Sequence, residues 1–445
     1  MAMTRRNFVR QGGCAMGAAA LALQRFGMVN ALAQTGGYQA LVCIFLFGGN
    51  DSNNAIIPID DYASYAAARG TATGLNIPAD TLLPISPPSA GSTFGLHPSL
   101  SAMQPLWNQK RLAVVCNVGP LVEPVTRARY LAQNALIPLN LFSHSDQQGQ
   151  WQTCVSTGPS PTGWGGRTAD RLNAGSAFPL MVTVAGLTPF TAAATARPLA
   201  LTPGQAFTLN GFTGPYAPAR YTALQTLLQL DADQRLVKSA SDTMSLAIAN
   251  SQLLSTLPAL QTSFPATSLG NQLKEVAQLI KINQTTLGLS RQLFFCSLGG
   301  FDTHGNQANT QATLLGQLGN AMAAFDAATG ELGVQDAVTT FTLSDFARTF
   351  VPNGNSGTDH AWGGHHFVMG GAVRGGDFYG TYPTLRANGP DDTDTGSSAR
   401  GRWIPTISVD EYAATLATWY GLSGADMTAV FPNLGRFQTS NLGFV

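Results

Sequence analysis

FTLSDFARTFVPNGNSGTDHAWGGHHF, residues 341–367, decides how this chain is read. The apolar run Ala337–Leu343 that leads into it predicts a short buried strand. The chain then releases Ser344 and Asp345 and enters a loop rich in Gly and Asn that carries Asp359, His360, His365 and His366. The whole sequence has six histidines, so three of them in one loop is a concentration. Carboxylates and imidazoles just past the C-terminal end of a buried strand stand where open α/β sheets place their sites. A loop whose histidines are merely solvated is the competing reading. His365 and His366 are adjacent, so in extended chain they point to opposite sides. At most one of them is expected to reach a metal, with His360 brought to the same place by a turn at Gly363-Gly364.

Working outward, the pattern recurs. Ala40–Phe47 is apolar throughout, as in a parallel-sheet strand buried on both faces. It ends at Gly48-Gly49-Asn50-Asp51, which puts a carboxylate at the strand tip or forms an Asx turn. Gln292–Leu298 is a third such run, and its tip reads Gly299-Gly300-Phe301-Asp302-Thr303-His304. An Asp-x-His pair of this kind suits zinc, manganese or iron. Arg111–Val118 and residues 180–184 read as further strands. Apolar stripes at helical spacing (Leu269, Leu273, Val276, Ile280, Leu287, then Leu315, Leu318, Met322, Phe325) predict core-facing helices between them, and a helix over Val409–Tyr420 closes the chain. The expected fold class is α/β, a doubly wound, mostly parallel sheet flanked by helices. Residues 55–98 read as a long covering loop, His97 as a helix-start residue, and 185–215 as an inserted loop or hairpin over the site.

Two further stretches carry polar chemistry. Phe142-Ser143-His144-Ser145-Asp146 is either a helix N-cap or a hydroxyl nucleophile, Ser143 or Ser145, at the positive end of a helix. Arg167 follows in Gly163-Trp164-Gly165-Gly166-Arg167, as a group that would hold an anion. The acidic Asp391-Asp392-Thr393-Asp394 reads as a solvated loop ahead of a calcium site.

Charged residues make up only 11% of the chain and the formal net charge is zero. With no clustered Lys and Arg beyond the N-terminus, nucleic acid is not an expected partner. Thr4-Arg5-Arg6-Asn7-Phe8, an apolar Gly12–Leu23 and the small-residue site Ala31-Leu32-Ala33 resemble a twin-arginine export signal. Residues 1–33 are therefore expected to be removed, leaving a single domain over 34–445. Their loss takes four arginines and no acid, leaving 20 basic and 24 acidic side chains, a formal charge of −4. The expected location is periplasmic or secreted, with the twin-arginine translocase as partner during export and no integral membrane segment after cleavage. Cys43, Cys116, Cys154 and Cys296 remain. They contain no Cys-x-x-Cys, which argues against a thiolate zinc site and leaves room for one disulfide.

Taken together, FLFGGNDSNNAIIP, FSHSDQQGQWQT, GGFDTHGNQ, LSDFART, GTDHAWGGHHF and GRWIPTISVDEYAATLA resemble an uncharacterised family of twin-arginine-exported bacterial proteins in the alkaline phosphatase and sulfatase superfamily. The resemblance implies Asp51 as a metal ligand and Ser143 or Ser145 as nucleophile. It implies Asp302 and His304 as a ligand pair, and Asp345 with one of His360, His365 or His366 as a late pair. In such sites two cations clamp the phosphoryl or sulfuryl group; the expected cofactor is one or two divalent ions, zinc, manganese or calcium, and the expected substrate a small-molecule or polymer ester. One departure stands out: where many members have Asp-His, this chain has Asp345-Phe346, so a second metal lacks a ligand unless His360 folds back. Three readings follow, namely an ester hydrolase, a non-catalytic exported metal-binding protein, and a mononuclear non-haem oxidoreductase with two His and one carboxylate.

Overall fold

A computed structural model describes residues 37–445 other than 71–73, 173–177, 206, 208, 210 and 213. The export signal proposed for residues 1–33 lies outside the described residues. The described residues form twelve strands: β1 (Gln39–Leu46), β2 (Ile56–Pro58), β3 (Leu83–Ile85), β4 (Phe94–Leu96), β5 (Leu112–Gly119), β6 (Met181–Thr183), β7 (Leu199–Ala200), β8 (Arg291–Leu298), β9 (Val338–Ser344), β10 (Gly364–Met369), β11 (Phe378–Tyr379) and β12 (Ile407–Ser408). Nine of them make one sheet in the order β11-β5-β10-β9-β1-β8-β6-β7, with β12 also on β5. β1 runs parallel to both β8 and β9. Only β10 runs against its neighbours β5 and β9.

Alternation along each strand splits the interior into two cores. Ala40, Val42, Ile44 and Leu46 of β1 pack with the Ser268–Ile282 and Gln307–Glu331 helices on one face. Leu41, Cys43 and Phe45 pack with Trp164, Tyr412 and Leu416 on the other. The runs are apolar without interruption because both faces are covered. This is a mixed α/β fold with a mostly parallel sheet between helical layers, as the strand pattern predicts.

Three local expectations fail. His365 and His366 are not in a loop: they open β10, whose pairing with β5 buries them at 3% and 4% exposure. Residues 55–98 are not simply a covering loop, since β2, β4 and β3 form a small antiparallel sheet there. Within 185–215, β7 extends the far edge of the large sheet, away from the central strands. The four described cysteines, Cys43, Cys116, Cys154 and Cys296, are buried and free.

Candidate metal centre

Because β1, β8 and β9 are parallel neighbours, their C-terminal ends open on one side, and the loops that follow meet there. Gly48 turns with φ +112°, and a Cβ on it would collide with the backbone at Phe301 and Asp302, so only glycine lets the β1 and β8 tips lie this close. Beyond β9 the chain makes a hairpin: Thr349 N–H donates to Asp359 O (2.9 Å) and Ala361 N–H to Ala347 O (2.9 Å). That pairing returns His360 to the strand tips. His144 is the first residue of the helix His144–Thr153, and Gln148, one turn on, shares its face.

Three imidazoles converge on one carboxylate oxygen. Asp302 Oδ1 lies 3.0 Å from His304 Nε2, 3.4 Å from His360 Nε2 and 3.5 Å from His144 Nε2. His304 Nε2 and His360 Nε2 are 3.0 Å apart. The opposite nitrogen of every ring faces an acceptor. His144 Nδ1 sits 2.6 Å from Asp345 Oδ2, His360 Nδ1 2.7 Å from the Phe142 carbonyl, and His304 Nδ1 3.2 Å from Asp359 Oδ1. In a neutral ring an acceptor facing Nδ1 keeps the proton there and leaves Nε2 with its lone pair, the arrangement that second-layer acceptors impose on metal-binding histidines. The Phe346 ring packs against both His144 and His360, at centroid distances of 4.7 and 4.4 Å.

Asp302 is held ionised from behind. Arg348, fully buried, donates from Nη1 to Asp302 Oδ1 (2.8 Å) and to the Gly48 carbonyl, and its other nitrogens bond Thr358. Burial pushes the Asp302 carboxyl upward, but this hydrogen bond and the Arg348 charge hold it below its ordinary value. Asp359 is likewise held down, against burial, by Asn353, His304 and Arg400. Burial holds His360 below the usual imidazole range, so it is neutral and fit to coordinate.

These donors fit a divalent ion. His144, Asp302 and His360 each offer an atom within 4.8 Å of the others. Donors around a tetrahedral zinc, with bonds of about 2.0–2.1 Å, stand about 3.3–3.4 Å apart, close to the 3.4 and 3.5 Å from Asp302 Oδ1 to His360 and His144. His304 Nε2 lies 3.0 Å from Asp302 and His360 but outside the mutually close group that they form with His144. His144 Nε2 is buried without a hydrogen-bond partner, as a ligand atom would be. A set this rich in imidazole suits zinc or iron and does not suit calcium, which takes oxygen ligands.

Other sequence candidates stand elsewhere. Asp51 is buried and gripped through both oxygens by Arg69, and it also accepts from Gln307. Both of its oxygens are engaged by partners outside the cluster. Asp345 lies behind His144, accepting from Gly48 N–H (3.1 Å), His144 and Gln148 (2.8 Å). His365 accepts from the Asn117 amide (3.1 Å) and stacks on Tyr382, while His366 packs on Trp151. Burial pushes both down to about 3, so they are neutral core residues. Ser143 Oγ donates to Asp146 (2.6 Å), and Ser145 turns to the same carboxylate. Arg167 is spent on the carbonyls of Thr153, Thr162 and Val430. Asp392, read as part of a solvated loop, is buried and accepts backbone amides of Asn388, Gly401 and Arg402.

His144, Arg348 and Arg69 were not among the sequence candidates. The scarcity of histidine was the one signal that marked His144.

Fold and cluster together define a doubly wound α/β protein with an imidazole–carboxylate centre at the C-terminal edge of its sheet. The chain belongs to the family described as "Protein of unknown function (DUF1501)", whose model matches residues 38–393 and so takes in all four donors. No curated protein matches it significantly. Similar solved structures include a sulfatase from Pseudoalteromonas sp. (TM-score 0.33, 9% identity, 96% of this chain and 73% of that one). They also include the C-terminal periplasmic domain of EcEptC from Escherichia coli in complex with Zn (TM-score 0.34, 11% identity, 91% and 88%). A third is the alkaline phosphatase TAB5 with Mg bound (TM-score 0.30, 9% identity, 75% and 91%). Likeness at this level carries no chemistry over to this chain.

Proposed function

We propose that this protein holds one divalent cation, zinc foremost, through His144, Asp302, His304 and His360, and hydrolyses anionic phosphate or sulfate esters after export through the twin-arginine pathway. The observation that carries the reading is the convergence of three Nε2 lone pairs on the Arg348-held oxygen of Asp302. A bound divalent ion would supply Lewis acidity toward an ester oxygen and would make water a better nucleophile. The chain's own groups set the charge. Asp302 is offset by Arg348 and Asp359 by Arg400, which leaves Asp345 as the one uncompensated carboxylate beside the donors. A loaded centre is then net positive, which favours an anionic substrate over a neutral one. Ser143 and Ser145 engage Asp146, so water is favoured over a serine as nucleophile. No helix among the described residues is long and apolar enough to cross a membrane, in keeping with export of a folded chain.

A second reading has its own support: His144, Asp302 and His360 alone make a two-His, one-carboxylate set, which with open positions suits non-haem iron. Elemental analysis of protein recovered after native export, with aryl phosphate and aryl sulfate turnover of wild type and His360→Ala, separates the cases. Zinc with turnover lost in His360→Ala supports the hydrolase. Iron with open coordination moves the reaction to oxidation. A metal without any ester turnover leaves a binding protein.

A further inference from the structure

The four donors are not held alike. His144 is fixed by Asp345, which is fully buried, His360 by a main-chain carbonyl, and Asp302 by the buried Arg348 guanidinium. His304 hangs instead from Asp359, a carboxylate 34% exposed and shared with Asn353 and Arg400. Its own side chain is 46% exposed, against 31% for His144 and 24% for His360, and it lacks the buried guanidinium that holds the equally exposed Asp302. Its backbone is anchored: a Cβ on Gly357 would collide with the His304 carbonyl, and Asn353 donates to that carbonyl at 3.0 Å. The imidazole can therefore swing while its loop stays in place.

An ion seated among His144, Asp302 and His360 has a fourth position, which His304 Nε2, 3.0 Å from Asp302 Oδ1 and from His360 Nε2, would fill at rest and which a catalytic site has to keep for its reactant. We propose that His304 is the exchangeable ligand, closing the coordination at rest and yielding its place to the incoming ester. The inference rests on the metal reading of the site given above. The exchange breaks one dative bond and makes another. His304 would leave as the neutral imidazole, its proton still on Nδ1 and donated to Asp359, so no proton or electron is transferred. Exposed His304 and half-buried Asp359 stand on the open side, while the donors that must stay are backed by buried partners.

The test uses the full mature chain, loaded with zinc for affinity and with cobalt for visible absorption. His304→Ala is expected to retain one ion per chain with zinc affinity down about tenfold, while His360→Ala falls about a hundredfold or more. Inorganic phosphate, used as probe, should perturb the cobalt spectrum of His304→Ala at lower concentration than that of wild type, because the position is already open. Added imidazole should restore the wild-type spectrum. Zinc affinity in His304→Ala equal to wild type would overturn the inference alone, as would a loss as deep as that of His360→Ala. A wild type that takes up no ion would overturn the underlying reading and this inference with it.

Discussion

Replacing Asp345 with asparagine isolates what orients His144. Asp345 is fully buried and accepts three hydrogen bonds: Gly48 N–H on Oδ1, and His144 and Gln148 on Oδ2. An amide has one oxygen. Turned toward His144 and Gln148, it sets its NH2 against the Gly48 amide. Turned the other way, it sets NH2 against His144 Nδ1 and drives the proton to Nε2, removing the lone pair. Either orientation ends the charge-assisted bond at 2.6 Å that makes Nε2 a stronger donor. Losing such a partner costs metal affinity about 10- to 100-fold, or about 1.4–2.8 kcal/mol. The metal-free fold should lose about 1–3 kcal/mol, the cost of one buried group left unsatisfied. Competition with a chromogenic chelator gives the zinc dissociation constant, and denaturant unfolding in EDTA gives the second figure. A folded Asp345→Asn protein whose zinc affinity lies within about twofold of wild type, far short of that range, would refute the role given to the His144–Asp345 pair.

Three other outcomes are expected. Arg69→Met strands the buried Asp51 carboxylate and should cost about 3–5 kcal/mol in denaturant unfolding; adding Asp51→Asn should recover part of it, and no recovery would mean that the loss is not one of uncompensated charge. Burial pushes Asp410 up to about 8, against the pull of backbone amides and Arg167; its folded value lies above the unfolded one, so stability is full below about 4 and declines as pH rises through 8. Asp410→Asn should therefore be the more stable form at pH 8–9 and lose that advantage in acid, and parallel stability profiles for the two proteins would count against it. Ser143 caps its helix without a side-chain cap bond, so Ser143→Ala should cost at most about 0.5 kcal/mol and leave zinc affinity and ester turnover in place; turnover lost with zinc retained would make Ser143 the nucleophile.

The sheet was legible because its central strands, β1, β8 and β9, are buried on both faces, which leaves uninterrupted apolar runs. Their glycine-rich ends pointed to the edge where Asp302, His304 and His360 now meet. What sequence hid was pairing. Nothing local tells that Asp51 faces Arg69, which lies at the end of an alanine-rich helix in a segment that reads as loop. His144 sat between two serines that made the better-known case for chemistry. His365 and His366 looked like ligands by type and spacing. It is the antiparallel insertion of β10 between β5 and β9, a long-range choice of strand order, that turns them into core.

The donors come from three stretches far apart in the chain: the His144–Asp345 contact spans 201 residues and the His360–Phe142 contact 218. An unfolded chain cannot bring them together without closing long loops, so a cation would bind the native state almost alone. Such an ion acts as a staple, adding stability that grows with the logarithm of its free concentration. With the four described cysteines unpaired, this staple is one that reductants leave intact and chelators open.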